Sequence, residues 1–303
     1  MDITTLRKMR TSDLSKIAQA AETITQGGSG GKKDDDNRFW KLTPDKAGNA
    51  SALIRFLPRV EGDELPWIEM IDHGFQGANG KWYIEKSLAT IGQDDPVSQV
   101  NSDLWNNGTE AGKEQARKQK RRKAYYANIL VINDSGNTSN NGQVRLFKFG
   151  KKIMDKILDK ARPTFADEKP VNVFDFWEGA DFKLRMKKVD EYPNYDTSVF
   201  AEPTQIAEAD HDIVKIANAQ YKLSDFHDPK NFKTYAELKT KLDQVLGTST
   251  PVGNAQDDAP VSRPAPAQRT VEASTPTSKP SAFDVADDVD QDSASYFQSL
   301  AND

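Results

Sequence analysis

Between Arg38 and Val189 the chain returns again and again to short apolar, β-branched and aromatic runs, punctuated by turn dipeptides such as Gly48-Asn49, Gly62-Asp63 and Asn79-Gly80. Runs of that length with that punctuation specify strands. The expected strands are Phe39 to Leu42, Ala52 to Leu57, Trp67 to Asp72, Lys81 to Glu85, Tyr125 to Asn133, Val144 to Phe149, Val171 to Phe176 and Asp181 to Val189. Lys151 to Ala161 reads instead as a helix, with Ile153, Ile157, Leu158 and Ala161 on one face. The pattern predicts a β-rich α+β fold, a barrel-like core with added helices.

The flanks read differently. Residues 4–24 form a short helical pattern through Leu6, Leu14, Ile17 and Ala21, interleaved with Arg7, Lys8, Arg10 and Lys16, and such a helix buries little by itself. Gly27-Gly28-Ser29-Gly30-Gly31 and the following Lys32 and Lys33 have linker composition. A phosphate-binding loop would need another glycine-to-lysine spacing and a Ser or Thr after the lysine. Residues 205–246 read as helical through Ile206, Ile213, Ile216, Leu238, Leu242 and Leu246, broken at Asp228-Pro229, and are expected to pack back onto the barrel. Past Gly247 large apolar residues almost vanish, so the segment cannot offset its ordering entropy and disorder is expected. The chain thus divides into 1–37 (arm and linker), 38–247 (core) and 248–303 (tail).

Charge follows the same division. The whole chain is −5, but residues 248–303 hold nine acids and three basic residues, a net of −6, which leaves +1 for everything before them. With no cysteine and only His73, His211 and His227, scattered, the sequence offers neither a disulfide nor a thiolate metal site. No apolar run approaches the roughly 18 residues of a membrane span and no signal-peptide core is present, so a soluble intracellular protein without membrane contact is expected.

One segment concentrates chemistry. Lys113, Arg117, Lys118, Lys120, Arg121, Arg122 and Lys123 place seven cations in eleven residues, and Tyr125 and Tyr126 follow at once. Cations attract phosphate without regard to base, and an exposed ring gives an unpaired base a face to stack on. A solvated charged loop ahead of a core strand has the same look, although so many like charges repel one another unless an anion is near. In Val144 to Phe149, Arg145, Phe147 and Phe149 share one face and Leu146 and Lys148 the other, and only one face is expected to be core. Tyr192 and Tyr195 follow Lys183, Arg185, Lys187 and Lys188, where they can stack on bases or pack over a loop. Trp105 is a further ring of either kind. No histidine has a candidate nucleophile near it and the aspartate clusters sit in linkers or turns, so catalysis is not expected.

Phe56-Leu57-Pro58, His73-Gly74-Phe75, Asn79-Gly80-Lys81-Trp82-Tyr83-Ile84-Glu85, Tyr125-Tyr126-Ala127-Asn128-Ile129-Leu130-Val131, Phe149-Gly150-Lys151-Lys152, Trp177-Glu178-Gly179-Ala180 and Asn194-Tyr195-Asp196 occur in one order. In these motifs the chain resembles the single-stranded DNA-binding, helix-destabilising proteins of T-even-type bacteriophages, in detail over residues 38–247 and in layout at both ends. The resemblance implies a five-stranded oligonucleotide-binding (OB-fold) barrel that holds single strands without sequence preference, acting in phage DNA replication, recombination and repair in the cytoplasm of the infected host. It implies stacking by Trp105, Tyr125, Tyr126, Phe147, Tyr192 and Tyr195, and phosphate contacts from Lys120, Arg121 and Arg122, with Arg55, Lys118, Lys123, Arg145 and Lys148 as further candidates. A basic arm, here Arg7, Lys8, Arg10, Thr11 and Ser12, is expected to contact a neighbouring copy and make binding cooperative. The acidic tail, through Asp287, Asp288, Asp290, Phe297 and Leu300, is expected to recruit replication and recombination proteins of the polymerase, helicase-loader, primase or recombinase class.

The chain departs from that family at two places. Where further tyrosines are implied it has Gln93 or Asp94 and Ala116, a loss of stacking partners worth about 1 to 3 kcal/mol each. Zinc-binding members use one histidine and three cysteines. His73 survives, but Ser87, Asp95 and Ser98 stand near the cysteine positions, so a zinc-free subdomain held by packing around Trp82, Ile84 and Leu88 is expected. Two rival readings remain: an interaction scaffold whose tail and N-terminal helix do the work, and RNA binding with control of translation.

Overall fold

The computed structural model describes residues 1–23, 36–189 and 192–248, so the tail residues named above lie outside it, as do the side chains of Thr11 and Ser12. One long strand organises the rest. β5 (Arg122–Asp134) runs for 13 residues with a continuous buried stretch from Ala124 to Ile129, and its two edges carry three other strands. Its first half pairs antiparallel with β3 (Trp67–Gln76), from Trp67↔Ala127 to Asp72↔Arg122. Its second half pairs with β2 (Ala50–Phe56), from Phe56↔Ile129 to Ala52↔Asp134. The opposite edge takes β6 (Val144–Phe149), with Tyr126↔Lys148 in register.

The sheet then spreads from these four. β1 (Phe39–Trp40) adds parallel to β6, and β4 (Trp82–Lys86) pairs with the far half of β3. β7 (Ala180–Val189) lies on the free edge of β2 and carries β8 (Tyr192–Asn194) and β9 (Val199–Pro203). The result is a nine-stranded sheet, and the described strand pairs do not close it into a ring. Among the described residues the helices are α1 (Ile3–Thr23), α2 (Pro96–Asn106), α3 (Glu110–Lys118), α4 (Lys151–Ala161), α5 (Asp210–Asn218) and α6 (Tyr235–Leu246).

The main core gathers Phe56, Trp67, Tyr125, Ile129, Phe147, Phe149, Phe174 and Phe182 on one face of the sheet, with Ile153 and Ile157 of α4 against them. β7 alternates cleanly: Phe182, Leu184 and Met186 are buried, while Lys183, Arg185 and Lys187 face solvent. β5 and β6 do not. Their second face, Tyr126 and Leu146, is buried with Met70, Leu223 and Phe226. The expectation that only one face of β6 is core is therefore corrected, because residues 221–232 cover the other. Alternation distinguishes two faces of a strand but cannot report a cover supplied from 80 residues away.

Other expectations are corrected as well. Val171 to Phe176 is not a strand. Val173, Phe174 and Phe176 are buried, but Asn172 Oδ1 accepts from the Phe174 amide and Asp175 Oδ1 from the amides of Trp177 and Glu178, so side chains replace a ladder. Residues 205–246 form two helices separated by 3-10 turns at Ser224–His227 and Pro229–Asn231. α2 and α3 were not anticipated. Their starts are set by Asp95, whose carboxylate accepts from the Val97 and Ser98 amides ahead of Pro96, and by Thr109, which accepts from Gly112.

α1 buries more than its sequence pattern promises. Leu6 packs with Leu57, Phe176, Ile213 and Ala217, and Ile17 joins the main core. Ion pairs pin it along its length: Arg7 to Asp210 at 3.1 Å, Arg10 to Asp175 at 2.7 Å and to Glu178, and Asp13 to Arg59 at 2.7 Å.

Candidate nucleic-acid interface

A cleft opens where β3 and β4 meet β5, β6 and the turn that precedes α6. Its walls carry four lysines, Lys86, Lys148, Lys230 and Lys233, the rings of Tyr126 and Phe232, and two carboxylates, Asp72 and Glu85. Strand pairing places the first elements. Tyr126 and Lys148 are directly opposed on β5 and β6, and the Lys148 ammonium sits 5.7 Å from the centre of the Tyr126 ring. Lys86 stands in the same relation to Phe232, at 5.7 Å. Each ring is thus paired with a cation, the pairing that attracts a phosphate beside a base; Tyr126 is buried against Phe39 and Phe226, so half-buried Phe232 is the more accessible ring for stacking.

The acids fix the cations. Arg122 Nε donates to Asp72 Oδ1 at 2.7 Å, and Lys148 Nζ lies 4.0 Å from Asp72 Oδ2. Burial pushes the Asp72 carboxyl up from the ordinary carboxylate range, against the pull of Arg122 and Lys148. The Arg122 guanidinium lies on the backbone of Gly74, where a Cβ would stand 2.0 Å from Nη2, so only glycine admits this pose. Glu85 accepts from Lys233 at 2.6 Å and also from Lys241 of α6. Burial opposes ionisation of Glu85, but these two ammonium groups hold its pKa below the usual value.

Of the residues singled out in the sequence, the structure brings Tyr126 and Lys148 into the cleft and sets Arg122 on its edge, beside Lys123, which pairs with Glu69 at 3.0 Å. Tyr125 and Phe147 point to the other face and are buried in the main core. Arg55 is 1% exposed, its Nε donating to Asp181 at 2.7 Å and its Nη2 to the Thr204 carbonyl at 2.9 Å. Arg145 donates to the Asn37 carbonyl at 3.0 Å and to Gln143. Trp105 is half-buried on α2, with Lys113 and Arg117 5.8 and 5.5 Å from its ring, and Ala116 is buried beneath it. Lys118 is exposed and paired with Glu114 at 2.8 Å, and Lys120 and Arg121 are half-buried between α3 and β5.

Tyr192 is 48% exposed on β8, below the basic outer face of β7. Tyr195 packs on the main core, and burial raises its hydroxyl to about 12. Sequence reasoning missed Lys86, Lys230, Phe232 and Lys233. A signal was there: Pro229-Lys230-Asn231-Phe232-Lys233 interleaves cations with a ring, as the segment before Tyr125 does, but was read only as a helix break.

Beside the cleft lies a buried polar cluster. His73 Nε2 donates to Asp95 Oδ1 at 3.1 Å, Ser87 Oγ to Asp95 Oδ2 at 2.8 Å and Ser98 Oγ to Asp95 Oδ1 at 3.3 Å. Of the three residues expected to pack this subdomain, Leu88 is in its apolar cluster but Trp82 and Ile84 are not. Trp82 is 51% exposed and Tyr83 is the buried ring, stacked on Phe75 with Leu88, Val97 and Leu242. The parity of β4 is shifted by one residue from that reading, and polar side chains share the work.

A nine-stranded sheet cored on both faces, with a lysine-and-ring cleft beside its second core, defines a mixed α+β protein whose cleft suits a polyanion. Comparison with known proteins agrees: the family model described as gp32 DNA binding protein like matches residues 48–246, and the chain belongs to this family. The single-stranded DNA-binding protein of Enterobacteria phage T2 is 39% identical over 236 residues, 76% of this chain and 76% of that protein. That of Enterobacteria phage T4 is 38% identical over 243 residues, covering 78% and 79%. That of Escherichia phage SV14 is 45% identical over 84 residues, 26% of this chain and 74% of that protein.

Proposed function

We propose that this protein coats single-stranded DNA without sequence preference during phage replication, recombination and repair in the host cytoplasm. The observation that carries this reading is the cleft in which Tyr126 and Phe232 each lie against a lysine, together with the binding named for its relatives. A single strand is preferred to a duplex because a ring can stack only on a base that is not already stacked, and melting of hairpins follows from that difference in affinity. Exposed Tyr192 and the lysines of β7 extend the contact path, and Lys118, Lys120 and Arg121 add phosphate contacts along its rim. The sheet is read as an elaborated oligonucleotide-binding barrel, in which β5 is the long shared strand.

The arm and tail complete the reading. Arg7 and Arg10 pair within the chain, so contact between α1 and a neighbouring copy exchanges those ion pairs for equivalent ones. The acidic tail recruits replication and recombination partners. No zinc is required. Titration of a fluorescent oligo-dT at several salt concentrations tests the core of the proposal. Phe232→Ala and Tyr192→Ala each weaken binding by about 1 to 3 kcal/mol, and the affinity falls steeply with salt. Unchanged affinity in both variants, or a shallow salt dependence, sinks it.

A further inference from the structure

We infer that Asp95 is a positioning residue for DNA binding: its buried carboxylate, not a metal ion, fixes the placement of the basic segment Lys120–Lys123. The inference rests on the single-strand-binding reading above. Asp95 Oδ1 accepts from His73 Nε2, the Val97 and Ser98 amides and Ser98 Oγ, and Oδ2 accepts from Ser87 Oγ and the Leu88 amide at 3.1 Å. One side chain thereby ties β3, the turn after β4 and the start of α2. The tie continues to the basic segment. His73 Nδ1 lies 3.3 Å from the carbonyl oxygen of Gln119, which also accepts from Asn101 Nδ2 at 3.0 Å, and Gln119 closes α3 immediately before Lys120. Next to His73 on the opposite face of β3, Asp72 holds Arg122. The cleft wall is thus gripped on both faces of one strand.

The donor set does not fit zinc. His73, Ser87 and Ser98, the histidine and two of the positions that stand for cysteines, all bond to Asp95, the third, so the four positions are gathered in one place. Their chemistry does not suit the metal: two hydroxyls are poor ligands, and every acceptor direction of the carboxylate is already taken by a donor. Among the described residues no group of three or more His, Cys, Asp or Glu side chains is placed to hold a metal. His73, Ser87, Asp95, Asn101 and Gln119 are all buried, so an aspartate that lost these bonds would leave several unpaired donors out of water.

The test compares D95N with L184A, a cavity variant in the main core remote from the cluster, each assayed with oligo-dT at one salt concentration well below its own melting temperature. The expected result is a loss of affinity of about ten-fold for D95N and none for L184A, with faster amide exchange at residues 119–123 in D95N alone. A second variant, S87C/D95C/S98C, restores a His and three thiolates. It is expected to take up one zinc per chain and to bind oligo-dT more tightly with the metal than without, which decides the matter even where D95N does not fold. D95N binding like the wild type, a triple variant that takes up no zinc, or stoichiometric zinc in the wild-type protein overturns the inference. Failure of the wild type itself to bind oligo-dT overturns the proposed function instead.

Discussion

Residues of the same type in adjacent positions go to opposite faces. Tyr125 and Tyr126 are consecutive and both buried, yet one ring packs against Phe149 in the main core and the other packs against Phe39 and Phe226 on the far face, beside the cleft. The sequence reading opens the strand at these two rings, whereas β5 begins at Arg122; which ring enters which core depends on register with β3 and β6, which no local pattern states. Arg55 makes the same point in energetic terms. Its charge is buried against Asp181, and breaking a buried pair from one side costs about 3 to 5 kcal/mol because the other charge is stranded. Asp181→Ala is therefore expected to lower the melting temperature sharply while oligo-dT affinity, measured on the folded variant, stays at the wild-type level. A parallel loss of affinity would return Arg55 to the phosphate contacts. Gly74→Ala is expected to do the reverse: a modest stability loss, with weaker DNA binding as Arg122 is lifted from its seat, readable in the same titration.

Elements were legible where a single physical rule set them. Val144–Phe149 and Lys151–Ala161 agree with their sequence reading to the residue, because alternation and helical periodicity are strong there and Gly150 divides them. Val171 to Phe176 had the right apolar content and the wrong geometry, since burial rewards hydrophobicity whether or not a ladder forms. α2 and α3 are polar on most positions and short, so their capping residues were the only signal. Capping also gives a prediction for α6, whose Thr234 and Glu237 bond reciprocally: Thr234→Ala is expected to cost about 1 kcal/mol in a denaturant melt. The junction of β4 with α6 depends on pH through Glu85. Its folded pKa is depressed, so its contribution is complete above the unfolded value of about 4.3 and disappears as pH falls through the folded one. Melts of wild type and Glu85→Gln are expected to differ at pH 7 and to converge below about pH 4; a constant gap would refute the assignment.

Across the whole molecule, net charge misleads. The chain is −5, yet the residues before 248 sum to +1 and concentrate lysines on one side of the sheet. Truncation after Thr248 is expected to tighten oligo-dT binding, with the largest gain at low salt where attraction and self-competition are least screened. No change on truncation would favour the scaffold reading, in which tail and DNA surface are independent. Composition alone suggests a division into arm, core and tail. What composition could not show is that α1 belongs to the core's packing, because the acids that receive Arg7 and Arg10 lie 165 or more residues further along the chain.

The pairing of β2 with both β5 and β7 sets an order of events during synthesis. The ribosome delivers β2 first and β5 some 70 residues later, but β7 emerges only after about 130 residues. Until then β2 offers an open row of amides and carbonyls with hydrophobic Ile54 and Phe56 beside it, the arrangement most prone to capture by another nascent strand. Such distant pairings make for slow closure, on the scale of milliseconds to seconds. A nascent chain therefore has a brief interval in which its greatest hazard is its own sister chains.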